Sequence, residues 1–508
     1  MKTFTLFSLL PPAVLLIPGC NTQKTETRPN IIYILADDLG YGELGAYGQT
    51  KIETPNIDRL AEEGILFTRH YTGAPVSAPA RSILLTGLHS GHAQVRGNDE
   101  MAERGKVWDY RAMLADSTLE GQKPMLAGTQ TVATLLQDAG YKTALVGKWG
   151  LGAPHTESIP NKMGFDFFFG YNCQRIAHTY YPVHLYRNES RFPLNNDTIA
   201  PHTSLNEGAD PYDQASYARF TLADYAPEVM FSEIQQFISE TRNSPFFLYW
   251  ATPIPHVALQ APEEWVSKYV EKFGEESPYE GGGYFPSRYP RATYAAMVSY
   301  LDHQIGLLVE QLKELGIYEN TLIIFTSDNG PSSAGGADPQ WFESAHPFRS
   351  EAGYIKGQLN EGGIRVPMIA SWPAKIRAGR VSDHISAFQD VLPTLCDVAG
   401  VSESYTTDGI SFLPELKGRR QQEHEYLYWE FPESGGQQAV LIGNYKAIRK
   451  NMHKGNTQFE LYDLEKDPGE ITDIAASHPE VINTVQNICL TEHTPSDNPR
   501  WKFKILND

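Results

Sequence analysis

Cysteine is scarce: four residues in a chain of 508. One of them, Cys20, closes an N-terminal apolar stretch, so its loss to cleavage or to lipidation would leave Cys173, Cys396 and Cys489 as the thiols available for pairing. An odd set of three permits at most one disulfide, which excludes a disulfide-built scaffold and leaves stability to a packed core. Basic runs are also lacking, and the balance of 42 Lys and Arg against 61 Asp and Glu gives a formal charge of −19. That balance argues against nucleic acid and anionic membrane surfaces as partners. Internal repeats and low-complexity tracts are missing, and no apolar run beyond the first twenty residues is long enough to suggest a membrane span. With 41% apolar and 20% charged residues, the composition is that of an ordinary globular protein.

The opening M-K-T-F-T-L-F-S-L-L-P-P-A-V-L-L-I-P-G-C carries one lysine and then apolar residues ending in small ones. Residues 1–20 are therefore expected to be an export signal. The ending L-I-P-G-C resembles a bacterial lipoprotein signal, which implies lipidation of Cys20 and a periplasmic or outer-membrane location, with the lipid as the only membrane attachment. Residues 21–29, polar and threonine-rich, read as a tether.

Past the tether, N-I-I-Y-I-L-A-D-D-L-G is a continuous apolar run closed by two carboxylates, the pattern of a strand buried on both faces. Similar units follow. T-V-A-T-L-L-Q-D-A-G-Y-K-T-A-L-V-G-K-W reads as a helix stopped by Gly140 and a strand ending at Lys148; S-P-F-F-L-Y-W-A-T-P-I-P-H runs as a strand toward His256. A helix around Tyr294 to Leu315 then leads into N-T-L-I-I-F-T-S-D-N-G, ending at Asp328 and Asn329. Strands alternating with helices predict an α/β fold with a large, mostly parallel sheet flanked by helices, spanning residues 30–400. Ligands of such sheets gather at the carboxyl ends of the strands, and each of these strands ends in a chemically capable side chain. Gly164 to Tyr225, rich in aromatics and histidine and without period, is expected to form long loops on the rim. Residues 401–508 change to short alternating segments and a terminal helix near His478 to Leu490, predicting a small antiparallel sheet plus helix.

Asp37-Asp38 and Asp328-Asn329, four hard oxygen donors at two strand ends, suit Ca²⁺, or less well Mg²⁺, rather than zinc. Between them P-V-S-A-P-A-R-S-I-L-L-T-G places Ser77 near a helix start, where backbone N–H groups favour an anion. The run Ser77-Ala78-Pro79-Ala80-Arg81 with Leu84, Thr86 and Gly87 resembles the sulfatase signature Cys/Ser-x-Pro-x-Arg, and Gly140 to Trp149 resembles the second signature of that family. R-P-N-I-I-Y-I-L-A-D-D-L-G, I-I-F-T-S-D-N-G, E-G-G-I-R-V-P and E-L-Y-D-L-E-K-D-P-G-E are similar to further sulfatase blocks and stand in the same order from about Arg28 to Ile474.

The resemblance to type I sulfatases, of the alkaline phosphatase superfamily, implies an alkaline phosphatase-like fold and hydrolysis of a sulfuric ester. It implies that a separate maturation enzyme converts Ser77 to Cα-formylglycine, whose hydrate is the nucleophile. By the same resemblance Asp37, Asp38, Asp328, Asn329 and residue 77 hold Ca²⁺, Arg81 steadies the nucleophile, Lys148 and Lys356 clamp the sulfuryl oxygens, and His256 protonates the leaving alcohol. Gly150 departs from the family, many members of which have a histidine there; His155 is the nearest substitute along the chain.

The rim segment F-F-F-G-Y-N-C-Q-R-I-A-H-T-Y-Y-P-V-H-L-Y resembles bacterial sulfatases of the Bacteroides type that act on galactose or N-acetylgalactosamine sulfates. Gln174, Arg175, His178 and His184 are its candidate sugar contacts, joined by His346, Arg349 and Glu351 ahead of Lys356. An exo-acting sulfatase of host glycans is the expected function. Two alternatives stand beside it: a phosphatase or phosphodiesterase of the same superfamily using unmodified Ser77, and a glycan-binding lipoprotein whose site has been retired.

Overall fold

The computed structural model describes residues 1–3, 5 and 28–508. The expected lipidation of Cys20, the signal and the tether fall, apart from residues 1–3, 5, 28 and 29, outside the described residues. Two sheets organise the chain. The larger has eleven strands: β1 Asn30–Ala36, β2 Ile65–Tyr71, β3 Lys142–Lys148, β4 Phe167–Tyr171, β5 His184–Arg187, β6 Ser190–Pro193, β7 Phe246–Ala251, β8 Thr321–Ser327, β9 Arg365–Ser371, β10 Arg380–Ser382 and β11 Ser386–Ala387. Their order is β10-β2-β9-β8-β1-β7-β3-β4-β5-β6, with β11 also on β2. The centre, β8-β1-β7-β3-β4, is parallel throughout, whereas β9 enters antiparallel to both β2 and β8. This is the predicted mostly parallel sheet.

The central strands are continuous apolar runs because both faces are covered. Ile32 and Ile34 of β1 point into one buried cluster, with the helices Ala226–Thr241 and Pro290–Glu314. Ile31, Tyr33 and Leu35 point into the other, with the helices Ser77–Thr86, Val132–Asp138 and Val391–Ala399. Period-two alternation therefore separates two apolar sets instead of an apolar from a polar one.

The rim differs from the expectation of loops alone. Within Gly164 to Tyr225 the chain builds β4 and the antiparallel hairpin β5-β6, which extend the main sheet. These strands are four or five residues long, too short to display a period, and only β4 pairs with β3, the hairpin being added onto β4. The small C-terminal sheet is as expected: β12 Leu427–Phe431, β13 Gln437–Ile442, β14 Tyr445–Arg449 and β15 Glu460–Asp463 pair antiparallel in sequence order. The helix Pro479–Glu492 packs on it through Val485 and Cys489. Cys173, Cys396 and Cys489 are all free and buried. Among the described residues no helix is long and apolar enough to cross a membrane.

Candidate active site

The carboxyl ends of β1, β3, β7 and β8 lie side by side, and the chemically capable residues of all four converge there. Asp37 and Asp38 follow β1, Lys148 ends β3, His256 follows β7, and Asp328 and Asn329 follow β8. Asp38 adopts φ 66°, a left-handed backbone that turns its carboxylate back over the strand ends. Ser77 is the first residue of the fully buried helix Ser77–Thr86, whose Ala78 N–H donates to Asn98 Oδ1 at 2.9 Å.

Ser77 is 1% exposed and its hydroxyl donates to Asp37 Oδ1 at 3.1 Å. Lys148 Nζ donates to the other oxygen of Asp37 and, at 3.3 Å, to Ser77 Oγ. Arg81 donates to Asp328 Oδ2 at 2.9 Å and to the Lys148 carbonyl at 3.0 Å. Lys356 Nζ reaches Asp38 at 2.7 Å, and Asn329 Nδ2 donates to Asp38 Oδ1 at 2.8 Å. Asn329 Oδ1 is buried without a partner. His256 uses Nδ1 to donate to the Val257 carbonyl at 2.5 Å, which leaves Nε2 facing Asp38 at 3.6 Å. Thus Ser77, Arg81, Lys148, His256, Lys356, Asp37, Asp38, Asp328 and Asn329 form one buried cluster.

Its electrostatics follow from burial opposed by pairing. Burial alone would raise the Asp37 carboxyl, but Lys148, His256, Arg81 and Lys356 outweigh it and hold the group far below the usual range. Asp328 goes the other way, pushed up to about 6 by burial and by Asp37 against the pull of Arg81. Burial, with Lys356 beside it, pushes His256 down to about 4. The Lys148 ammonium is lowered by burial despite Asp37, whereas Asp38 and Asp37 overcome burial at Lys356 and raise it.

The three carboxylates and the amide oxygen are the hard-donor set that Ca²⁺ takes, and the orphaned Asn329 Oδ1 is an acceptor in want of a cation. Asp37, Asp38 and His256 converge closely enough to share an ion. The other such grouping among the described residues, His89, His92 and Glu492, is a hydrogen-bonded cluster. There the Gly91 N–H donates to His89 Nδ1, so Nε2 carries the proton and gives it to Glu492 at 2.9 Å.

The remaining expected residues divide. His178 lies against the cluster, stacked on His256 with ring centroids 5.3 Å apart and planes at 11°. Gln174 covers Gly150: a Cβ there would stand 2.8 Å from its Nε2, so the amide fills the space a side chain at 150 would take. His155 is exposed and bonded to Ser117, so it does not supply what Gly150 lacks. Arg175 is turned into Glu100 at 3.1 Å with Trp108 over its guanidinium, and buried His184 bonds Glu120, which also binds Arg191. Both are therefore engaged by carboxylates of the protein itself, while Arg175 Nε has no partner among the described residues. His346 is exposed; Arg349 lies over Tyr354 and 3.5 Å from Glu351, and none of the three makes a hydrogen bond or ion pair with the cluster among the described residues. Sequence reasoning missed Tyr284 and His202, which adjoin His178 and His256 from aperiodic loops that no motif marks.

The sulfatase family profile matches residues 29–401, well over half of the chain. The chain belongs to the sulfatase family. The sulfatase is accordingly a sulfuric ester hydrolase. A second profile, described as N-sulphoglucosamine sulphohydrolase, C-terminal, matches residues 351–491. The sulfatase is 30% identical to human arylsulfatase A over 94% of its own length and 90% of that protein's. It is 28% identical to the N-acetylgalactosamine-6-O-sulfatase of Bacteroides thetaiotaomicron, over 96% and 99% of the two chains. Among solved structures, Ps i-CgsB in complex with k-i-k-neocarrahexaose superposes with a TM-score of 0.72 at 27% identity, over 92% of this chain and 93% of that one. The alkaline phosphatase-like fold expected from the motifs is the fold of these neighbours.

Proposed function

We propose that this sulfatase is an exo-acting enzyme that removes sulfate from a galactose or N-acetylgalactosamine unit of host glycans, with residue 77 as Cα-formylglycine and Ca²⁺, rather than Mg²⁺, on Asp37, Asp38, Asp328 and Asn329. One observation carries it: the buried cluster sets Asp37, Asp38 and Asp328 against Arg81, Lys148 and Lys356, a balanced set of charges. A divalent cation on the acids releases the cations for an anion of matching charge, which a sulfuryl group provides. The ion, when bound, polarises sulfuryl oxygens and lowers the pKa of an oxygen nucleophile.

The chain's own residues do the rest. The helix start holds residue 77 against Asp37, and Arg81 fixes Asp328 while reaching within 3.6 Å of Asp37. Lys148, 3.3 Å from Ser77 Oγ, and Lys356 stand where charge spreads onto the sulfuryl oxygens. His256, its Nδ1 committed to a carbonyl, turns Nε2 toward the site, and a proton taken up there would pass to the leaving alcohol. The galactosamine assignment is supported by the names of the relatives and by the imidazole and amide groups of His178 and Gln174 beside the cluster. Export as a lipoprotein, attachment by lipid at Cys20, a periplasmic or outer-membrane location and a formylglycine-generating maturation enzyme as partner complete the proposal.

The test is the intact mass of the peptide containing residue 77 after expression beside a serine-type maturation enzyme, followed by sulfate release from N-acetylgalactosamine 4- and 6-sulfates with Ca²⁺ and after chelation. Loss of two hydrogens at residue 77, with release that chelation stops and Ca²⁺ restores, is expected. Phosphate release by unmodified Ser77 would establish the phosphatase reading, which lacks support for a second metal because lysines flank the acids. Release of neither anion, with sugar binding retained, would identify a retired glycan-binding protein.

A further inference from the structure

Beside His256 stand residues from three segments that are separated in sequence. His178 stacks on His256; Tyr284 then lies 5.0 Å from His178 and 6.0 Å from His256, ring centroid to centroid. His202 stands behind, 5.9 Å from His178 and 6.1 Å from Tyr284, and its Nδ1 bonds the Gly283 carbonyl. Tyr284 is half-buried, and its phenol is close enough to Lys356 and Asp38 to feel their charges. Among the described residues its hydroxyl has no hydrogen-bond partner.

The segment is built to hold the ring there. Gly281 and Gly282 adopt φ 100° and 116°, open to glycine and costly to other residues, so the chain turns sharply before Tyr284. On the other side Gly335, at φ 62°, makes room: a Cβ there would stand 3.2 Å from Tyr284 Cδ2 and 2.9 Å from Val257. The loop that follows Asn329 thus seats the ring, and the carbonyl of Gly283 ties it to His202. An aromatic face held beside sulfate-clamping groups, with an unengaged hydroxyl at its edge, is suited to the less polar face of a pyranose and one of its hydroxyls.

We propose that Tyr284, backed by His202, is a specificity-determining wall that packs against the sulfated sugar ring. This rests on the carbohydrate reading given above. The wall contributes to sugar binding and leaves the sulfate clamp alone, so the two are separable.

The experiment compares wild type, Tyr284→Ala, Tyr284→Phe and His202→Ala. Calorimetric titration of the calcium-loaded, unmatured protein, with Ser77 intact, uses N-acetylgalactosamine 6-sulfate, the 4-sulfate and inorganic sulfate as probes. Tyr284→Ala is expected to weaken a sugar sulfate that wild type binds by roughly ten-fold, the loss of one aromatic contact, while inorganic sulfate binds as before. Tyr284→Phe, which keeps the ring, is expected to lose less than Ala, and His202→Ala to lose less than Tyr284→Ala. In matured enzyme the same loss appears in KM with kcat little changed. Unchanged sugar-sulfate affinity in Tyr284→Ala overturns the wall while leaving the carbohydrate reading standing. Equal loss for sugar sulfate and inorganic sulfate also overturns it, since the clamp itself would then be disturbed. A wild type that binds and hydrolyses neither sugar sulfate overturns the carbohydrate reading, and the wall with it.

Discussion

Lys148 shows what a single side chain must satisfy in this site. It ends a strand, 2% exposed, with its ammonium between Asp37 and Ser77 Oγ, so removing it strips a cation from the surroundings of residue 77 while Arg81 still faces Asp37. Lys148→Ala is expected to lower kcat by about 10² to 10³ with little change in KM, the mark of a group that acts in the transition state. Steady-state kinetics on a sulfated sugar decide it, and a loss confined to KM would make Lys148 a ground-state contact. His70 gives a residue-scale prediction about stability. It is wholly buried against Phe388 and Ser386, with Nε2 unpartnered, and burial pushes its pKa down to about 3. In the unfolded chain a histidine protonates near 6.5, so the folded state gains nothing from His70 above that pH. Its stability then falls as pH drops through the window toward 3. Two pH units inside that window amount to at most about 2.7 kcal/mol. Thermal melts should show the wild type losing more stability between pH 6.5 and 4.5 than His70→Gln. Parallel losses would mean that His70 takes up its proton in the folded state as well.

Strand ends position the site, and close backbone approach fixes them. Gly147 of β3 pairs with Ala251 of β7 and with Gly170 of β4, and a Cβ at Gly147 would stand 1.9 Å from the Ala251 carbonyl oxygen. Gly170 repeats the constraint, 1.9 Å from the Gly147 carbonyl. Both glycines also have positive φ, 122° and 149°. Gly147→Ala is expected to part β3 from β7 next to Lys148, costing more than about 3 kcal/mol and most of the soluble yield. Folded, fully active Gly147→Ala would show that the sheet yields at this point. The same strands explain what was legible beforehand. Buried parallel strands are unbroken apolar runs with their functional groups at one end, so β1, β3, β7 and β8 could be read directly with Asp37, Asp38, Lys148, His256, Asp328 and Asn329 at their ends, whereas Ser77, Arg81 and Lys356 lie off the strands and are reached through the family resemblance. β4 to β6 could not, being short strands toward one edge, of which only β4 pairs with β3. The pairing of His184 was illegible for a similar reason: its partner Glu120 lies 64 residues away, and no local pattern announces a contact at that range.

At the scale of the whole molecule, the small C-terminal sheet acts as a brace for the catalytic half. Gln437, the first residue of β13, accepts from the Leu359 N–H and donates to the Gly357 carbonyl, gripping the chain directly after Lys356. A few residues on, Lys446 of β14, wholly buried, binds Glu361 at 2.8 Å and Glu470 at 3.1 Å. Glu361 is also held by Arg365 and by the Tyr71 hydroxyl, each at 3.0 Å. Burial would raise the Glu361 carboxyl, but Lys446 and Arg365 hold it down, while Glu470 is raised by its burial despite Lys446. Breaking such a network from one side leaves uncompensated charge in a low dielectric, which costs more than the network itself contributes. Lys446→Met should therefore destabilise by about 3–5 kcal/mol, seen in denaturant unfolding. Because the segment held by this network begins at Lys356, kcat should fall at temperatures where the variant is still folded. Adding Glu470→Gln to Lys446→Met should recover part of the loss, since Glu361 keeps Arg365 and the carboxylate left without its cation is then neutral. A double-mutant cycle reads that coupling, and strictly additive losses would mean that Lys446 and Glu470 stabilise the junction independently of one another.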